Sequence, residues 1–156
     1  MHSCYGIQRI VSGGQTGADR AALDWAKNHH IPHGGWLPPG RLAEDGVIDS
    51  SYQMSEMASG SYRQRTKKNV EDSDGTLILN LGLFDGGSLA TKRFAERMGR
   101  PHLVLQLDKL TREESKKCLI AWLEQFPVQI LNVAGPRESK RPGIYSATLV
   151  LLDGLC

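Results

Sequence analysis

The sequence predicts one α/β domain, a mostly parallel sheet of about five strands with helices on both faces. Three observations lead there. Strand-like and helix-like segments alternate along the chain. The segments 76–81 and 102–107 are nearly continuous apolar runs, as in strands buried on both faces. The 156 residues, 40% hydrophobic and 23% charged, suit one domain with an ordinary core.

Residues 8–12 read as the first strand. They run into Gly13-Gly14-Gln15-Thr16-Gly17, and a helical pattern follows at once over about 17–30: Ala18, Ala21, Ala22, Trp25, Ala26. Residues 31–36 read as a short strand. Residues 38–46 carry Pro38, Pro39, Gly40 and Gly46 and are not expected to be regular. Residues 62–72 are polar and helix-compatible, and 76–81 form a buried strand. Leu89, Phe94, Ala95 and Met98 repeat at helical spacing over 88–98. After the strand 102–107, Thr111 and Glu114 form a capping box opening a helix to about 126, with Cys118, Leu119, Trp122 and Leu123 inward. Residues 128–133 are a last strand and 144–152 a closing helix. Right-handed connections gather the loops after successive strands at one edge, where such sheets bind ligands. The irregular stretch from 38 to about 60 is long for a connection and hints at a functional loop. Trp25 and Trp122 fall at core positions of their helices, whereas Trp36 suits core or interface.

Composition excludes several classes. A net charge of +2 is too mild to argue for nucleic acid. No apolar run approaches the roughly 18 residues that span a membrane. Met1-His2-Ser3-Cys4-Tyr5 shows no basic start followed by an apolar stretch, so no signal peptide is expected. Cys4, Cys118 and Cys156 are an odd number without a CxxC pair, which reads as free thiols in a reducing cytoplasm. His29, His30, His33 and His102 lack metal-ligand spacing, so no structural metal is expected.

Four loops carry the candidate chemistry. The first, residues 13–17, joins a strand to a helix start, which suits phosphate; it also reads as a plain tight turn. Asp19 in the first helical turn complements the helix dipole but repels phosphate, so it either points away or accepts from ligand N–H or hydroxyl groups. In the second loop Arg41 reads as an anion clamp with Glu44 and Asp45 as acceptors, or as half of a surface Arg–Glu pair. The third, Asp85-Gly86-Gly87-Ser88-Leu89-Ala90-Thr91, is another strand-to-helix anion site. The fourth carries Arg137, Lys140 and Arg141, either a solvated basic loop or a closure over a polyanion. Asp72-Ser73-Asp74-Gly75 reads as a turn at the opposite edge.

Taken in order, GGQTGAD, GGWxPxGRxAEDG, the Tyr62-Arg63-Gln64-Arg65-Thr66-Lys67-Lys68-Asn69-Val70 segment leading into DSDGTLI, DGGSLAT and NVAGPRES…PGIY resemble the putative molybdenum carrier family. That family is related to molybdenum-cofactor carriers, in the Rossmann-like superfamily that also holds the lysine-decarboxylase-like phosphoribohydrolases. The resemblance covers nearly the whole chain. It implies a Rossmann-like cytoplasmic protein, homo-oligomeric, binding a phosphorylated pterin (molybdenum cofactor) or a nucleotide at the carboxyl edge of its sheet, with molybdoenzymes as recipients. By position, Gly13, Gly14, Thr16 and Gly17 would contact phosphate. Gly86, Gly87, Ser88 and Thr91 would form a second phosphate loop, and Arg41 and Arg137 would pair with charge. This chain has Leu37 where the pattern often carries Cys and Pro39 where it carries a basic residue.

The related phosphoribohydrolases use a PGGxGTxxE loop whose Glu acts on the ribose. Here Lys92 or Arg93 stands at that place, and a cation does not stabilise an oxocarbenium-like charge. The resemblance therefore favours a binder over a hydrolase. The enzyme alternative, acting on nucleoside monophosphates, relies on Glu44, Asp45 or Asp19. A third alternative is a nucleotide-sensing module.

Overall fold

Five parallel strands form the central sheet of the computed structural model, which describes residues 4–156. In chain order the elements are β1 (Arg9–Val11), α1 (Ala18–Asn28), β2 (His33–Gly34), β3 (Trp36–Leu37), β4 (Leu42–Ala43), β5 (Gly46–Val47), β6 (Ser55–Glu56), α2 (Tyr62–Glu71), β7 (Gly75–Asn80), α3 (Gly86–Arg97), β8 (His102–Gln106), α4 (Arg112–Gln125), β9 (Ile130–Ala134) and α5 (Ile144–Asp153). The sheet order is β2-β1-β9-β7-β8. Every pairing in it is parallel, as the apolar runs demand.

The two faces of the sheet differ. Alternate residues of a strand point to opposite faces. Leu77, Leu79, Leu131 and Val133 face α1, α4 and α5 in the main core with Trp25, Leu119, Trp122 and Ile144. On the other face only Val70, Phe94 and Ala95 of α2 and α3 make an apolar cluster. The buried polar residues Thr76, Asn80 and Asn132 share that second face, where the cover is incomplete. α4 begins with the expected capping box of Thr111 and Glu114, and α2 with a second one made by Ser61 and Gln64.

Three expectations are corrected. The segment 31–36 is not one strand: β2 pairs with β1, and after Gly35 the chain leaves the sheet, so that β3 pairs with β6. Residues 38–46 are not wholly irregular, because two residue pairs suffice for a hairpin. Leu42 pairs with Val47 and Ala43 with Gly46, and Glu44 and Asp45 form the turn. The long excursion from β3 to β6 is tied to α1 by Arg20–Asp45 at 2.9 Å, Lys27–Ser51 at 3.1 Å and the Tyr52 hydroxyl on Asp24. Burial, and then that bond to Asp24, push the Tyr52 phenol up to about 12.

The third correction concerns the cysteines. Cys4 and Cys156 form a disulfide, with Cα atoms 5.4 Å apart, and are not free thiols. Sequence spacing gave no sign of it, since 152 residues separate the two. Cys4 and Cys156 meet because α5 returns alongside α1 to the edge of the sheet where β1 begins. Cys118 is an exposed free thiol. Among the described residues no helix is long and apolar enough to cross a membrane. The leader expectation at Met1, His2 and Ser3 lies outside the described residues.

A disulfide spanning nearly the whole chain constrains the unfolded state strongly. Its reduction is expected to lower the unfolding free energy by about 2–5 kcal/mol. Urea unfolding with and without reductant measures this, and Cys118→Ser is expected to leave the difference intact. Equal curves for oxidised and reduced protein would contradict it.

Candidate ligand-binding site

From β7 the chain moves outward through α3 to β8, then returns through α4 to β9 on the other side of β7. Ligand crevices of open α/β sheets form where the winding reverses in this way. At the carboxyl ends of β7 and β9 lies a cleft of about 750 Å³. Asn80 at the end of β7 and Asn132 within β9 line it, α3 forms one wall, and α2 contributes Arg63, Arg65 and Asn69. Asn69 docks α2 by pairing both amide atoms with the backbone of Trp36, at 2.8 and 3.2 Å.

The start of α3 opens into this cleft. Asp85 is its N-cap residue but makes no cap hydrogen bond. Its carboxylate turns to Lys140 Nζ at 2.7 Å and Arg141 Nη2 at 3.4 Å, and the bond from Lys140 leads in holding it below its usual pKa. The N–H groups of Gly86, Gly87 and Ser88 therefore have no acceptor among the described residues. Gly86, Gly87, Ser88 and Thr91 all line the cleft, and the Thr91 hydroxyl donates to the Gly87 carbonyl at 2.8 Å.

The start of α1 is closed. Gly13, Gln15 and Asp19 line the cleft, but Gly14, Thr16 and Gly17 do not. Gly14 is packed on Leu37 and Ile48. Gly17, at φ 82°, lies so near Pro136 that a Cβ would meet its carbonyl oxygen. Thr16 donates to Glu44 and accepts from the Glu138 N–H at 3.1 Å. Gly14, Thr16 and Gly17, expected to contact phosphate, are thus covered by protein, with the β9–α5 loop packed over Thr16 and Gly17.

Asp19 faces the cleft and is 5% exposed. Burial raises its pKa to about 6, against the opposing pull of Arg65 and the Gln15 backbone N–H. Arg65 reaches it by one contact of 3.4 Å. Arg65 Nε is buried without a partner among the described residues. An unsatisfied buried donor costs about 1–3 kcal/mol. A Cβ on Gly13 would fall inside the Arg65 guanidinium, so this glycine makes room for the pair.

Glu44 is a latch more than a free acceptor. Its carboxylate takes hydrogen bonds from the Thr16 and Ser139 hydroxyls and the Ser139 N–H, and lies 3.6 Å from Arg137. The Ser139 hydroxyl leads in lowering its pKa. Arg137 lines the cleft and is half exposed. Arg41 is corrected as an anion clamp: it lies outside the cleft and donates to the carbonyls of Ile48, Asp49 and Tyr52. Asp45 is likewise outside, paired with Arg20. Leu37 is buried beneath Gly14, and neither it nor Pro39 lines the cleft. Lys92 and Arg93 do not reach it either. Asp74 does mark the opposite edge, where it accepts from the N–H groups of Gln129 and Ile130.

Sequence reasoning gave no site role to Arg65, Asn69, Asn80 or Asn132, whereas Lys140 was read with Arg137 and Arg141 as a closure over a polyanion. Polar residues inside the strands, Asn80 and Asn132, were the readable signal for two of them.

This architecture and cleft define a class: a doubly wound α/β domain with a crevice at the winding reversal. Counted from β7 around through the joined ends, the strand order becomes 2-1-3-4-5, the flavodoxin-like order opened at a new place. The model of the circularly permutated YpsA SLOG family matches residues 10–156, and the chain belongs to that family. It is also 51% identical to the chain of a crystal structure described as "Putative molybdenum carrier protein" from Syntrophus aciditrophicus SB. That match covers 96% of this chain and 95% of the other, with a TM-score of 0.94. No curated protein matches.

Asp19 makes stability pH-dependent. Its folded pKa lies above the unfolded value of 3.8, so its contribution is full below about 3.8 and lost as pH rises through about 6. Relative to Asp19→Asn, the wild type is expected to lose about 3 kcal/mol across that window. Urea unfolding of both proteins at pH 4.5, 5.5 and 7.5 tests it; parallel profiles would refute it.

Proposed function

We propose that this chain binds a phosphorylated pterin of the molybdenum-cofactor type in the cleft and carries it without converting it. The observation that carries the reading is the start of α3. Three N–H groups, at Gly86, Gly87 and Ser88, face a polar cleft with no acceptor, and Lys140 stands beside them. Such a helix start favours an anion through its N–H groups and its dipole. Gly13, Gln15, Asp19, Glu44 and Arg137 would frame the rest of the ligand, with Thr91 shaping the loop. The 51% identical relative, by its description as a molybdenum carrier, supports the cargo. On this reading the protein is homo-oligomeric and cytoplasmic, where a reducing milieu would hold Cys4 and Cys156 as thiols, and molybdoenzymes receive the cofactor.

One observation favours a second reading. Asp19 is a buried cleft carboxylate with a pKa near 6, a value suited to acid–base work on a nucleoside monophosphate. Release of free base from a nucleoside monophosphate panel would support it. No release with protein near the substrate concentration would dismiss it.

Gly87 offers a direct test of the anion site. A Cβ there meets nothing within 4 Å, and the position has no positive φ. Gly87→Asp puts a carboxylate in the first turn of α3, which a helix tolerates, and sets a negative charge against the ligand. Titration calorimetry with a molybdopterin-type cofactor is expected to show at least about tenfold weaker binding, with thermal stability preserved. Unchanged affinity would sink the α3 site. Binding of GMP by the wild type alongside no heat with the pterin would sink the carrier reading in favour of nucleotide binding.

A further inference from the structure

Three other arginines that tie the loops, Arg20, Arg41 and Arg141, are saturated by protein. Arg20 donates to the Gly14 carbonyl and to both oxygens of Asp45. Arg41 grips three backbone carbonyls. Arg141 grips the carbonyls of Leu81, Lys140 and Leu83. Arg65 is different. Its side chain is 11% exposed and lines the cleft, with its face over the Tyr62 ring at 5.6 Å, yet it makes a single hydrogen bond, Nη1 to Asp19 at 3.4 Å. Structural Arg–carboxylate pairs are usually bidentate and shorter than 3 Å. Nε and Nη2 make no hydrogen bond among the described residues, and Nε is shut away from water as well. The position itself is well fixed. α2 is capped by Ser61 and Gln64 and docked by Asn69, and Gly13 leaves the slot that the guanidinium fills.

We infer that Arg65 recognises the ring of the bound ligand, offering its free N–H fork to an edge that carries a carbonyl oxygen beside a ring nitrogen. Guanidinium groups match this edge bidentately, as they do O6 and N7 of guanine. An oxidised pterin, such as pterin-6-carboxylate, presents the same pair, its 4-oxo group and N5, whereas a tetrahydropterin carries hydrogen on N5 and keeps only the 4-oxo acceptor. Adenine presents an amino group in place of the oxygen, so two donors would face each other. Asp19 engages Nη1 alone, which leaves Nε and Nη2 without a protein acceptor among the described residues. The inference rests on the proposed reading of the cleft, with the anion at α3 and the ring toward Arg65.

The test is titration calorimetry of the full chain with inorganic phosphate, GMP, IMP, AMP and pterin-6-carboxylate. The wild type is expected to prefer GMP and IMP over AMP by about tenfold or more. Arg65→Lys and Arg65→Gln are expected to bring that preference to within about twofold, while phosphate binding stays within about twofold of wild type. Gly13→Ala, which crowds Arg65 from the other side, is expected to act in the same direction. Carboxyl NMR gives a readout without ligand: in Arg65→Gln, Asp19 is expected to titrate above about 6, because the lowering charge is gone. The relative affinity of GMP and pterin-6-carboxylate distinguishes the two sources of the edge. Equal binding of GMP and AMP by wild type, or a preference that survives in the Arg65 variants, overturns the role of Arg65 and leaves the anion site standing. A wild type that binds none of these probes overturns both.

Discussion

Where β1, β7 and β9 end, backbone meets backbone with room for nothing larger than hydrogen. Gly17 abuts the Pro136 carbonyl. A Cβ on Gly135 would lie 2.6 Å from both the Ala18 Cβ and the Leu79 carbonyl oxygen. This contact pins the β9–α5 loop over the start of α1, and Glu44 fastens the β4–β5 hairpin to the same place through Thr16 and Ser139. The consequence is an asymmetry between two helix starts that look alike in sequence. The start of α1 meets protein, while that of α3 meets the cleft. The glycines of the first loop serve close packing, whereas in the third loop Gly87 leaves open space, with no neighbour within 4 Å of a built Cβ, and Gly86 makes room for the Lys140 ammonium.

Charge in the cleft follows a second rule. Arg65, Arg137 and Lys140 each face a carboxylate of the chain itself: Asp19, Glu44 and Asp85. Pairs at partly exposed positions, such as Arg137–Glu44 and Lys140–Asp85, are worth about 1 kcal/mol or less. An arriving anion can compete with them at little cost. Asp19 stands apart because it is buried, and burial outweighs the pull of Arg65 on its pKa. A carboxylate and a guanidinium that both lack close partners suit a ligand with polar groups beyond its anion.

The central architecture was legible because its signals are local. The apolar runs of β7 and β8, the capping box of Thr111 and Glu114 and the helical spacing of α1 each depend on residues within one turn or strand. The third loop was legible for the same reason, since a glycine pair after a strand and before a helix is a local pattern. What remained hidden is long-range. Arg41 looked like an anion clamp because its hydrogen-bond acceptors, at Ile48, Asp49 and Tyr52, are backbone oxygens that leave no mark in side-chain chemistry. Arg65 lay in a run of polar helix residues, and only the fold sets it over Gly13. Cys4 and Cys156 pair because the fold joins the ends of the chain, a relation that spacing does not carry.

The same joining of ends explains how a permuted chain keeps this cleft. The break falls between the end of α5 and the start of β1, at the edge where the strands begin. All four loops that frame or brace the cleft lie at the other edge, after β1, β7 and β9 or on the excursion beyond β2. Opening the chain at the first edge therefore removes no ligand-facing group. At that first edge the Cys4–Cys156 bridge ties the segment before β1 to the segment after α5, with Cα atoms 5.4 Å apart. The order of strands in space, not their order in sequence, sets where winding reverses. The crevice between β7 and β9 is accordingly indifferent to where the chain starts.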